Sequence, residues 1–95
     1  MQQLEGLDLQ VYTGTWCPDC RRLERWLTEH AVGHAQVDIE TMPGAAERLV
    51  AETGKRAIPF ILVNGRTWVR GYHRELPQRF DPDTLVRELR EAAGL

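Results

Sequence analysis

Thr13-Gly14-Thr15-Trp16-Cys17-Pro18-Asp19-Cys20 joins two different hydrophobic periods, and its reading decides the fold. Before it, Leu7, Leu9 and Val11 alternate with Asp8, Gln10 and Tyr12, the period of two that marks a strand. After it, from about Pro18, apolar residues recur at spacings of three and four. Cys20, Leu23, Trp26, Leu27 and His30 fall on one helix face, with Arg21, Arg22, Arg25 and Glu29 on the other. Proline is tolerated at the first helical position, where its missing N–H would have had no partner. The octet is therefore a strand-to-helix turn, and Cys17 stands at the mouth of the helix.

That position carries chemistry. Unpaired N–H groups and the helix dipole favour negative charge there, which lowers a thiol's pKa from its free value of about 8.5. Arg21 and Arg22 add positive potential one turn away. Cys20 lies three residues on, within disulfide reach and on the inward face with Leu23 and Leu27. The expected division of labour is that Cys17 attacks and Cys20 resolves. Asp19 works the other way: a carboxylate in the same turn opposes a thiolate at Cys17 and makes the couple more reducing.

Further along, a second strand is expected over Gln36 to Ile39 and a helix start at Thr41-Met42-Pro43. A helix over Ala45 to Glu52 is closed by Gly54. Phe60-Ile61-Leu62-Val63 reads as a strand covered on both faces. Asn64-Gly65 signals a two-residue hairpin with Thr67-Trp68-Val69 returning. Asp81-Pro82 opens a last helix along Leu85, Val86, Leu89 and Ala92, and Gly33 is expected to end the first. The order β-α-β-α-β-β-α gives an α/β domain with a four-stranded mixed sheet flanked by helices, covering residues 1–95.

The chain has 95 residues, 12 Lys+Arg against 14 Asp+Glu for a net charge of −2, and 42% hydrophobic residues, which suits one small globular domain. Near-neutral charge argues against bulk capture of nucleic acid or of anionic membrane. The apolar stretch from Ala57 to Val63 is broken by Pro59 and falls far short of the roughly 20 residues that span a bilayer. No export signal is visible at the N-terminus, so a cytoplasmic location is expected. Two cysteines in that compartment read as redox chemistry rather than as a structural framework.

Trp16-Cys17-Pro18-Asp19-Cys20, Thr53-Gly54-Lys55-Arg56-Ala57-Ile58-Pro59 and Asn64-Gly65, in this order, resemble the glutaredoxin branch of the thioredoxin fold. The resemblance implies a dithiol–disulfide oxidoreductase with Cys17 as nucleophile and Cys20 as resolving thiol. It implies a cis bond before Pro59, where the base rate for any X-Pro bond is trans, and a substrate held by the backbone of Ile58. It carries Trp16, Pro18, Arg56, Gly71 and Tyr72 to the same substrate-binding face, and it leaves Asp19 and Arg21 as the tuning residues. No bound cofactor is expected. Electrons would come from glutathione or from the flavoenzyme thioredoxin reductase, the partner would be a disulfide-containing protein, and the chain would be a monomer.

Four departures bear on the reductant. Gly14 stands where these proteins commonly place Lys, Ala57-Ile58-Pro59 replaces Thr-Val-Pro, and Asp19 replaces Tyr. Of the Gly-Gly and acidic pair that hold glutathione's amino end, only Gly71 survives within Arg70-Gly71-Tyr72-His73-Arg74. Trp68 to Arg74 instead looks like the Trp-Ser-Gly-Phe-Arg-Pro stretch of NrdH-redoxins, which thioredoxin reductase reduces and which supply ribonucleotide reductase with electrons. The rival class is a zinc or iron–sulfur module using Cys17. Cys17, Cys20, His30 and His34 imitate a zinc pattern, but the gap is shorter than finger spacing and Gly33 separates the histidines. His30, His34 and His73 otherwise read as ordinary surface or interface histidines.

Overall fold

The computed structural model describes residues 1–95. Strands β1 (Leu9–Thr13), β2 (Ala35–Asp38), β3 (Phe60–Val63) and β4 (Thr67–Arg70) form one sheet in the order β2-β1-β3-β4. Helices α1 (Pro18–Glu29), α2 (Ala45–Thr53) and α3 (Pro82–Ala92) cover its faces, and a short 3-10 turn, Gln2–Leu4, precedes β1. β1 and β2 are parallel, joined through α1, whereas β3 runs antiparallel to both β1 and β4. This is the expected element order and the mixed sheet.

The continuous apolar run of β3 has a simple cause. Ile61 and Val63 join Leu9, Val11, Leu23, Leu27, Leu85 and Leu89 in a core beneath α1 and α3. Phe60 and Leu62 face the opposite way, with Tyr12, Ile39, Ala45 and Leu49, into a smaller core under α2. All four β3 residues are buried, as a strand with helices on both faces requires. Asn64 and Gly65 hold φ of 53° and 69°, the pair of left-handed residues that a tight hairpin demands.

Several ends differ from the sequence reading. β1 begins at Leu9 rather than Leu7, and β2 begins one residue early, at Ala35. α1 stops at Glu29, where Ala31 takes the left-handed conformation with φ of 54°. The Ala31 N–H bonds to Thr28 O and the Val32 N–H to Leu27 O, a Schellman closure two residues before Gly33. Thr41-Met42-Pro43 forms a turn, and α2 starts only after Gly44. His30 is not on the apolar face: it is exposed and stacks on Trp26. His73, expected at the surface or an interface, is 5% exposed and lies in the loop from β4 to α3.

Candidate active site

Cys17 is the N-cap of α1, with extended φ and ψ of −91° and 111°, and its Sγ accepts the Cys20 N–H at 3.2 Å. An otherwise orphaned helix N–H thus points at the sulfur, the arrangement that favours a thiolate. Pro18 follows at the first helical position. Cys17 and Cys20 are joined as a disulfide with Cα atoms 5.2 Å apart, and the chain has no other cysteine. Cys20 is fully buried, whereas Cys17 is 8% exposed. A partner can therefore approach only the leading sulfur. Trp16 beside it is 70% exposed.

The loop before β3 supplies the other wall. The Ile58–Pro59 bond is cis, as the family resemblance implies, and Ile58 O lies 4.0 Å from Cys17 Sγ. The Ile58 side chain fills the space in front of Gly14, where a Cβ would stand 2.9 Å from Ile58 Cδ1. A side chain at this position, where the family commonly has Lys, would require only the terminal methyl of Ile58 to turn aside. Gly71 is similarly pressed: its N–H bonds to Pro59 O, and a Cβ would meet Leu23 Cδ2 at 2.6 Å and the Pro59 ring at 3.0 Å. Arg56 is exposed on the α2–β3 loop. Arg21 donates from Nη1 to Thr15 O at 3.3 Å, which holds its guanidinium over the active-site turn.

Asp19 is not the free carboxylate that its place in the sequence suggests. Arg79 donates from Nε and Nη2 to its two oxygens at 3.1 and 2.7 Å, and Arg22 donates from Nη1 at 2.8 Å. The Arg79 guanidinium, helped by Arg22, holds the Asp19 carboxyl below the ordinary value of 3.8 despite the opposing effect of burial. A depressed folded-state value stabilises the fold above the unfolded value, and that contribution disappears as pH falls through the folded one. Asp19→Asn should therefore lower the thermal midpoint by a few degrees at pH 7. The gap should close on acidification below 3.8; a pH-independent gap in thermal melts would refute the ion-pair origin.

Arg79 also lies over the Tyr72 ring, 5.2 Å from its centroid, while Arg70 lies 5.6 Å from the same centroid. Asp19 and Tyr72 are thus joined through a residue that sequence reading did not single out. Sixty positions separate Arg79 from Asp19, and no periodicity in an irregular loop announces such a contact. His73 is buried by contacts of the same irregular loop. Its Nδ1 accepts the Asp81 N–H at 3.3 Å and its Nε2–H faces Glu88 Oε1 at 3.1 Å. It thereby ties the loop to α3. Deeper in α1, Glu24 Oε1 is buried without a partner, and burial pushes this carboxyl above the ordinary 4.5.

No three His, Cys, Asp or Glu side chains converge to hold a metal ion. His30 and His34 instead place Nδ1 against the Trp26 and Val32 carbonyls, at 2.9 and 2.8 Å. The imitation zinc pattern has no counterpart in space.

The sequence model of the glutaredoxin family matches residues 9–68, which run from β1 through the cysteine pair to β4. The chain belongs to the glutaredoxin family. This glutaredoxin is 33% identical over 51 residues to the glutaredoxin-like protein NrdH of Lactococcus lactis subsp. cremoris, covering 54% of this chain and 69% of that one. It is 33% identical over 63 residues to a glutaredoxin of Neisseria meningitidis, covering 65% and 73%. Among solved structures, a thioredoxin-like protein superposes with a TM-score of 0.64 at 22% identity, covering 86% of this chain and 97% of its own. A buckwheat glutaredoxin–glutathione complex gives a TM-score of 0.55 at 19% identity, covering 68% and 62%. At those identities the superpositions establish the thioredoxin fold. Family membership together with the joined cysteine pair makes the chain a dithiol–disulfide oxidoreductase.

Proposed function

We propose that this glutaredoxin reduces protein disulfides through Cys17 as nucleophile and Cys20 as resolving thiol, and that thioredoxin reductase rather than glutathione restores its dithiol. The observation that carries the reading is the contrast between the two sulfurs. One caps a helix, accepts a backbone N–H and keeps a small exposed edge, and the other is sealed beneath it.

Cys17 thiolate attacks one sulfur of the target disulfide. The S–S bond breaks, the departing sulfur leaves as a thiolate and takes a proton, and a mixed disulfide joins Cys17 to the substrate. Cys20 then loses its proton and attacks Cys17 Sγ. This releases the second substrate thiol and leaves the intramolecular disulfide. Two electrons and two protons have passed to the substrate. Ile58 O, 4.0 Å from Cys17 Sγ, gives an extended substrate segment a backbone partner beside the attacking sulfur, and Trp16, Arg56 and Tyr72 are the side chains proposed to complete that face.

Support for the reductase comes from the β4–α3 loop. Where an acidic pair would receive the glutathione amino group, Arg70-Gly71-Tyr72-His73-Arg74 presents a tyrosine ring faced by Arg70 and by Arg79 from further along the loop, and a buried histidine. The likeness to NrdH, in this stretch and across 51 residues, favours ribonucleotide reductase as the electron acceptor. The chemistry suits the cytoplasm, where thiols are kept reduced and a catalytic pair cycles. With an insulin-type disulfide as substrate, NADPH and thioredoxin reductase should sustain turnover more rapidly than glutathione and its reductase. Equal or faster turnover with glutathione would overturn the choice of reductant.

A further inference from the structure

We propose that Arg79, reaching from the β4–α3 loop into the C-x-x-C turn, is a positioning residue for disulfide exchange that holds the Asp19 carboxylate neutralised beside Cys17.

The loop is constructed around this one guanidinium. Arg79 has φ of 57°, a left-handed conformation uncommon for a residue with a side chain. Its backbone is tied at both ends: the N–H bonds to Leu76 O, and the carbonyl accepts the His73 N–H at 2.9 Å. His73 is buried and bonded to both Asp81 and Glu88, so the tether reaches α3. The guanidinium then lies over the Tyr72 ring and offers its two-pronged edge to Asp19. Such a fork matches both carboxylate oxygens at once, which a lysine ammonium cannot do.

Asp19 is two residues from Cys17. Left unpaired, its negative charge would oppose the thiolate that the helix mouth favours. Arg22 alone contacts only Oδ1, whereas Arg79 covers Oδ2 as well. The other charged or titratable groups around the site are Arg21 and Arg22 on α1, Glu40 after β2 and Tyr72 on the loop, with Arg70 behind Tyr72. Of these, only Arg22 joins Arg79 in contacting Asp19. The reactivity of the cysteine pair is in this way coupled to the seating of a loop distant in sequence.

The proposal rests on Cys17 being the nucleophile, and one experiment separates the two claims. The pH dependence of iodoacetamide alkylation, resolved by peptide mass for Cys17 and Cys20, would be followed in the reduced full chain. The variants are Arg79→Met, Arg79→Lys, Asp19→Asn and the Asp19→Asn/Arg79→Met double variant. Arg79→Met should raise the Cys17 midpoint by about half a pH unit, because Asp19 is then paired by Arg22 at one oxygen only and its charge is partly uncovered. Arg79→Lys should stay nearer to wild type. In the Asp19→Asn background, Arg79→Met should move the midpoint less than half as far, because an unanchored Arg79 is already screened by water and salt.

An unchanged midpoint in Arg79→Met would overturn the proposal. So would an equal rise in both backgrounds, which would mean that Arg79 acts on the sulfur directly, or a Lys variant that shifts as far as Met. Faster alkylation of Cys20 than of Cys17 would instead overturn the nucleophile assignment.

Discussion

Cys17→Ser should lower disulfide reduction at least about a thousandfold, because a hydroxyl at the same helix mouth is not ionised and cannot open an S–S bond. Cys20→Ser should behave differently. Its first step is intact, so one equivalent of substrate is captured as a mixed disulfide. Turnover then stalls unless an external thiol releases it. The asymmetry follows from the burial of the two sulfurs, Cys17 at 8% and Cys20 at zero exposure. A buried thiol reaches its neighbour's sulfur but not a protein substrate. Assays of turnover and of covalent capture on the two variants check this. Equal residual activity in both would contradict the division of roles.

Gly71→Ala should be the most damaging single-methyl change near the site. The added carbon would stand 2.6 Å from Leu23 Cδ2 and 3.0 and 3.2 Å from the Pro59 ring. Leu23 can turn its terminal methyl aside, but it is fully buried in the main core, so any shift is passed to its neighbours. Pro59 is a rigid ring, held on the same residue by the Gly71 N–H to Pro59 O bond. Overpacking of this kind costs about 1–3 kcal/mol. For a chain of this size that corresponds to a fall in thermal midpoint of about 4–8 °C per kcal/mol. Because the displaced ring adjoins Ile58, substrate reduction should slow as well. A variant with wild-type melting and wild-type rate would show that the tight approach is relieved without consequence.

The parts of this protein that sequence made legible are those governed by local rules. Period-two alternation ending in Thr13-Gly14-Thr15 marks β1 and the turn, Pro18 marks the helix start, and Asn64-Gly65 marks the hairpin. The order of the two cysteines on α1 was legible for the same reason, since three residues set both their separation and which one turns inward. The α1 terminus was not: the left-handed closing residue is Ala31, a residue type that seldom takes that conformation, and not Gly33. The Arg79–Asp19 contact was illegible too, because it depends on how an eleven-residue loop, Gly71 to Asp81, folds back across the helix mouth. Loop conformations are set by long-range bonds such as His73 to Asp81 and Glu88, and these carry no periodic signature.

A single turnover of the reduced wild-type chain with a disulfide-bearing peptide, quenched in acid and mapped by peptide mass, tests the central claim most directly. The expected result is peptide attached to Cys17 alone, giving way with time to the Cys17–Cys20 disulfide. Peptide attached to Cys20, or divided between the two sulfurs, would contradict it.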